Sequence, residues 1–158
     1  MTLQAQAEAF VADMHRDIPQ AEFMRLSVQH WDGQELALRA PLHPNTNDKG
    51  TAFAGALAST ATVTGWALLM LWAREHIGSC HVAVYHSELR YRHPVEADFV
   101  AVATLPGELA IAQLRERIAS RGRGRVDVQV VVHSAGQEAV TLTAGYAVWP
   151  VASAAGPV

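Results

Sequence analysis

A single cysteine, Cys80, leaves no means of forming an internal disulfide or a cysteine-built metal site, and fits a reducing compartment. Charge is scarce as well. Only 17% of residues are charged and the formal net charge is −3, so nothing draws the chain as a whole to nucleic acid. The stretch from Met1 to Phe10 lacks the basic start and apolar core of a secretory signal, which makes the cytoplasm the expected location. His81, His86 and His93 are not spaced as one metal site on a single strand face, so no metal is expected; no other cofactor is expected either. The most informative absence is local. Between Ala52 and Ala73 there is no charged, amide or imidazole side chain.

What is present is enough apolar material for one sizeable core: half of the 158 residues are hydrophobic. One domain over residues 1–151 is expected, with an Ala/Gly/Pro tail over 152–158 that frays. The uncharged run is long enough to cross a bilayer, but its alanines are interspersed with Gly55, Ser59, Thr60, Thr62, Thr64 and Gly65. Strand-like alternation follows it and no basic cluster flanks one end, so a soluble central helix is the better reading and no membrane is expected. A helix apolar on nearly every side must be hidden on nearly every side.

The surrounding pattern can supply the cover. A short helix over 3–15 ends before Pro19, and strands over 22–31 and 35–41 form a hairpin around Asp32-Gly33. The long helix runs from Ala52 to about His76, with Gly78 as its stop. Strands over 81–93 and 98–105, a helix over 108–119 and strands over 126–133 and 139–149 complete the chain. That order predicts an α+β fold, an antiparallel sheet of five to six strands wrapped around one long central helix.

Three blocks carry a specific likeness: Pro44-Asn45-x-Asn47-x-Lys49-Gly50-Thr51-Ala52-Phe53-x-Gly55, then Thr64-Gly65-Trp66, then Ser87-x-Leu89-x-Tyr91-x-x-Pro94-Val95. Together they resemble the YiiD carboxy-terminal-type thioesterase family and, more distantly, hotdog-fold acyl-thioester hydrolases. The resemblance covers nearly the whole chain and implies the hotdog fold. It also implies an acyl-CoA or acyl-carrier-protein thioester as substrate, and a homodimer or higher homo-oligomer with the site formed where subunits meet at the strand after the long helix.

Read from residues, such chemistry needs a groove for the acyl chain, donors for the carbonyl oxygen and a group that activates water. The start of the long helix can offer backbone N–H groups near Phe53, Ala54 and Gly55, and Gly55 would admit a close approach; the same glycine could serve tight packing. Asp48 is the carboxylate nearest that helix start, either as catalyst or as a simple helix cap. Asn45 and Asn47 could orient water or bind the carbonyl, or could merely shape the turn. Ser59, Thr60 and Thr64, beside Thr62, could line an acyl tunnel, or their hydroxyls could bond back to the helix. On the following strand, the face carrying Ala83, Tyr85, Ser87, Leu89 and Tyr91 is assigned to the helix, which places Tyr85 and Ser87 beside the groove.

Three functions compete. A thioester hydrolase is favoured. A non-catalytic acyl-ligand binder would use the same groove without an activated water. A 3-hydroxyacyl thioester dehydratase ranks last, because the long helix carries no carboxylate between Ala52 and Ala73 to pair with a histidine. The arginines from Arg115 to Arg125 read either as a solvated turn and helix face or as contacts for phosphate. Bulky Trp66, Met70 and Trp72 suggest a groove closed at depth, hence a short or medium acyl group.

Overall fold

The computed structural model describes residues 1–152. Its elements are α1 (Leu3–Asp17), α2 (Pro19–Phe23), β1 (Ser27–Trp31), β2 (Glu35–Ala40), α3 (Ala54–His76), β3 (Cys80–Tyr91), β4 (Phe99–Thr104), α4 (Glu108–Arg121), β5 (Gly124–Ser134) and β6 (Gln137–Pro150). The six strands form one antiparallel sheet in the order β1-β2-β4-β5-β6-β3, and α3 packs against five of them. This is the hotdog fold. The tail expected to fray lies outside the described residues, apart from exposed Ala152.

Local chemistry explains the boundaries. Thr2 caps α1 by accepting a hydrogen bond from the Ala5 N–H at 3.1 Å. The hairpin turn is held by the Asp32 carboxylate, which accepts from the Gln34 and Glu35 N–H groups at 2.8 Å each, with Gly33 at φ 93°. α4 stops at Gly122, whose left-handed backbone lets its N–H bond to the Ile118 carbonyl.

Two expected elements need correction. The segment from Glu22 to Leu26 is not strand: Pro19 sits in the first turn of α2, where its missing N–H costs nothing, so it starts a helix there. The long helix starts at Ala54, not Ala52, because Phe53 has extended backbone and the Ala52 N–H is bonded to the Val95 carbonyl at 2.7 Å.

The core fills the space between α3 and the sheet. Val126, Val128, Val130 and Val132 of β5 alternate inward, as do Leu142, Ala144, Tyr146 and Val148 of β6. Fully burying one such aliphatic side chain contributes about 1.5–3 kcal/mol. The Tyr146 hydroxyl donates to the Thr62 carbonyl at 2.8 Å, and a Cβ at Gly65 would overlap that hydroxyl. Gly65 is therefore what lets β6 and α3 meet this closely. Burial pushes the Tyr146 phenol well above its ordinary range, so it stays a neutral donor.

α3 is not hidden on nearly every side. Leu57, Thr60, Ala61, Thr64, Gly65, Ala67, Leu68, Leu71 and Trp72 are buried, whereas Gly55, Ser59, Thr62, Val63, Trp66 and Met70 are only half-buried. The second set follows the i, i+3, i+4, i+7 spacing of one helix face. One chain's sheet covers one side of the helix and leaves a stripe on the other.

Candidate functional site

The loop leading into α3 is knotted by its own polar groups. The Asn45 side-chain amide is buried and donates to the Met24 carbonyl at 3.0 Å and the Pro41 carbonyl at 2.9 Å. Its backbone carbonyl accepts from the Phe53 N–H at 2.7 Å. Asn47 accepts from the Lys49 and Thr51 N–H groups through its side-chain oxygen and donates to the Thr51 hydroxyl at 2.8 Å. Both asparagines thus have their amides committed to the loop, which is the turn-forming role.

Asp48 stands apart. Its side chain is 81% exposed and pairs with Lys49 at 3.0 Å, the sort of surface contact that contributes at most about 1 kcal/mol. It does not cap α3, because the cap residue is Phe53 and no side-chain oxygen bonds the first turn. The N–H groups of Ala54 and Gly55 therefore begin α3 without a side-chain acceptor, at the positive end of the helix dipole. A Cβ at Gly55 would overlap the Phe53 ring, which folds back over it, but that ring is exposed and can turn aside.

Beside this helix start is a cavity of about 280 Å³ lined by Ala52, Ala54, Leu57, Tyr91, Arg92 and His93, among others. The Tyr91 hydroxyl reaches the Ala54 carbonyl at 3.4 Å. Farther along α3 lies a larger, mostly apolar groove of about 450 Å³. Ser59, Thr62, Val63 and Trp66 form one wall, Val82, Ala83 and Val84 the other, and Tyr146 also lines it. The Trp66 indole N–H donates to the Val82 carbonyl at 3.0 Å and its ring lies 5.5 Å from that of Phe10, so the tryptophan is held between β3 and α1.

The structure separates the polar residues expected along α3. Ser59 lines the groove, while Thr60 and Thr64 are completely buried on the sheet-facing side. Thr64 bonds back to the Thr60 carbonyl at 2.6 Å, and the Thr60 hydroxyl is buried without a partner. Neither lines the groove.

β3 is corrected by a bulge. Its register against β6 shifts between Val84 and His86, so Tyr85 is the extra residue and the parity of the strand changes there. Val82 and Val84 face α3 before the bulge. Ser87, Leu89 and Tyr91 lie opposite Ala144, Leu142 and Val140, the helix-facing residues of β6, after it. Tyr85 lies instead over Gly145 on the outer face, under the Arg125 guanidinium at 4.6 Å. The uniform alternation that placed Tyr85 with Ser87 fails for this reason. Tyr91 faces α3 as the alternation assigned it, whereas Val82 and Val84 face it against that assignment, and the end of β3 brings Arg92 and His93 to the α3 start without a sequence signal.

The family model described as "Putative thioesterase (yiiD_Cterm)" matches residues 7–150. The chain belongs to this family. Among solved structures, a Chlorobaculum tepidum protein described as of unknown function is 26% identical, with a TM-score of 0.88 over 94% of this chain and 98% of its own. A Shewanella oneidensis structure described as a putative thioesterase is 23% identical, with a TM-score of 0.82, 92% of this chain and 99% of that one being covered. A thioesterase from Haemophilus influenzae has 12% identity and a TM-score of 0.71, covering 99% of this chain and 96% of its own. The last two likenesses establish the fold. Within this member of the thioesterase family, no Asp or Glu lines the groove or the cavity at the α3 start, and no group of His, Cys, Asp or Glu side chains suited to a metal occurs among the described residues.

Proposed function

We propose that the protein hydrolyses acyl thioesters carried by coenzyme A or by an acyl carrier protein, as a cytoplasmic enzyme. The observation that supports this most is the uncapped start of α3 opening next to an apolar groove along the same helix. In this reading the acyl chain lies against Val63, Val82 and Val84 and stops at Trp66. The thioester carbonyl oxygen accepts from the Ala54 and Gly55 N–H groups, which stabilise the negative charge that develops on it. Water attacks the carbonyl carbon, its proton passes to a base, and the thiol sulfur leaves as the tetrahedral intermediate collapses. His93, at the mouth, is assigned as that base, since an imidazole can accept water's proton there. Asp48 points to solvent in one chain and could act only in a site it reaches from outside that chain.

A second copy is proposed to complete the site along β3. This strand is at the sheet edge, is 12 residues long, and exposes Tyr85 and Tyr91 by about half. The register, with the Val151 N–H bonded to the Ser79 carbonyl and the Arg92 N–H to the Ala139 carbonyl, turns the backbone of Ser87, Leu89 and Tyr91 away from β6. Pairing with another β3 would satisfy that edge and cover the half-open stripe of α3.

The absence of a carboxylate from the groove lining favours one other reading, a non-catalytic acyl-ligand binder. A panel of acyl-CoAs separates the two, assayed with wild type, Ser59→Trp, His93→Gln and Asp48→Asn. Turnover lost in Ser59→Trp and His93→Gln but kept in Asp48→Asn is expected. Saturable binding without turnover in wild type would select the binder, and turnover indifferent to Ser59→Trp would remove the groove from the account.

A further inference from the structure

The exposed arginines between α4 and β5 are gathered at one place. Arg117, Arg121, Arg123 and Arg125, with Gly124, line one cavity of about 350 Å³. Two of the guanidiniums lie over aromatic rings: Arg123 is 4.8 Å from the Trp149 ring centre and Arg125 is 4.6 Å from that of Tyr85. None of the four makes an ion pair among the described residues, although Glu116 and Asp127 stand nearby in sequence. Gathering like charges costs free energy unless something of opposite sign offsets it. The chain's net charge is −3, so the cluster is not part of a general positive charge.

We propose that this cavity binds phosphate groups, and that in the working protein these belong to the phosphorylated nucleotide half of a coenzyme A thioester. The inference rests on the thioester reading above and deepens it by choosing coenzyme A over a carrier protein. Arginine suits the task because its fork of N–H donors matches phosphate oxygens, and its plane stacks on aromatic rings. The location fits too. Tyr85 under Arg125 is the bulge residue of β3, and its chain neighbour Val84 lines the acyl groove on the other face. This part of the edge is poorly suited to pairing with another strand: the bulge breaks its register, and the Val82 carbonyl is already taken by the Trp66 indole. In this proposal the nucleotide half reaches the arginines around this stretch of the edge.

The test uses the full chain and two kinds of ligand. Adenosine 3′,5′-bisphosphate and inorganic pyrophosphate are titrated calorimetrically against wild type and the double variant Arg121→Gln/Arg125→Gln. Hydrolysis is measured in parallel for an acyl-CoA and for the same acyl group on pantetheine, which has no phosphate. The double variant should bind the bisphosphate roughly tenfold or more weakly. Its kcat/KM for acyl-CoA should fall by a similar factor through KM, while acyl-pantetheine hydrolysis stays as in wild type. Unchanged melting temperature, or a higher one from relieved repulsion, shows that the variant folds. Equal bisphosphate binding in both proteins would overturn the phosphate site. Pyrophosphate binding as tight as the nucleotide, or loss of turnover confined to a carrier-protein substrate, would overturn the coenzyme A assignment. Failure of wild type to hydrolyse either thioester would instead strike at the thioester reading while leaving the bisphosphate titration to judge the cavity.

Discussion

The two faces of α3 carry similar residues and do different things. On the sheet-facing side Thr60, Thr64 and Gly65 are buried, and their contacts are the Thr64 back-bond and the close approach of Tyr146. On the other side Ser59, Thr62, Val63 and Trp66 are half-buried and border open space. A turn of roughly 100° about the helix axis separates a packing hydroxyl from a groove hydroxyl. The loop before α3 repeats the contrast, for its asparagines look chemical and are spent on structure. Residue type therefore says little here until the face is known.

The contrast breaks or sharpens in stability measurements. Gly65→Val drives a branched side chain into the Tyr146 hydroxyl and should cost about 3 kcal/mol, read from the urea midpoint; an unchanged midpoint would mean the enclosed face is loose. Asn45→Ala removes two bonds to otherwise buried carbonyls and should lose about 2 kcal/mol without a change in substrate preference. Thr60→Val runs the other way. It replaces a buried, unpartnered hydroxyl with a methyl of the same shape, and a gain of about 1 kcal/mol is expected in calorimetric melting. A loss there would reveal a partner for that hydroxyl in solution. Asp48→Asn should move the urea midpoint by less than about 0.5 kcal/mol, since its exposed pair with Lys49 does little.

The smallest expected effect depends on pH. The backbone N–H groups of Glu35 and Gln34 hold the Asp32 carboxyl below its ordinary range. A carboxyl depressed by folding stabilises the native state above its unfolded pKa, and the gain is lost as pH falls through the folded value. Wild type should therefore lose slightly more stability than Asp32→Asn on acidification below the ordinary carboxylate range, as compared by urea titration at several pH values. Half the side chain faces water, so the difference is small.

Much of the fold was legible in the sequence. The uncharged run from Ala52 to Ala73 and the alternating valines of β5 point to a helix against a sheet, because burial demands those patterns. The first hairpin strand was overextended because Pro19 can begin a helix as readily as it ends one. The site was harder to read. Asn45, Asn47 and Asp48 were chosen for what their side chains could do, but hydrogen bonds to Met24, Pro41 and Thr51 decide what two of them are free to do. Tyr85 was misplaced by one extra residue, since a bulge leaves no mark in an alternating strand and reverses every face beyond it.

The groove account is tested most directly by the chain-length dependence of acyl-CoA hydrolysis, measured as kcat/KM for wild type and Trp66→Ala. Trp66 is the last α3 residue lining the groove, pinned by its bond to the Val82 carbonyl. Removing it should shift the preferred acyl chain to greater length while hydrolysis of the shortest substrates persists. A preference that stays where wild type has it, in a variant that still folds, would contradict the placement of the acyl chain along the open face of α3.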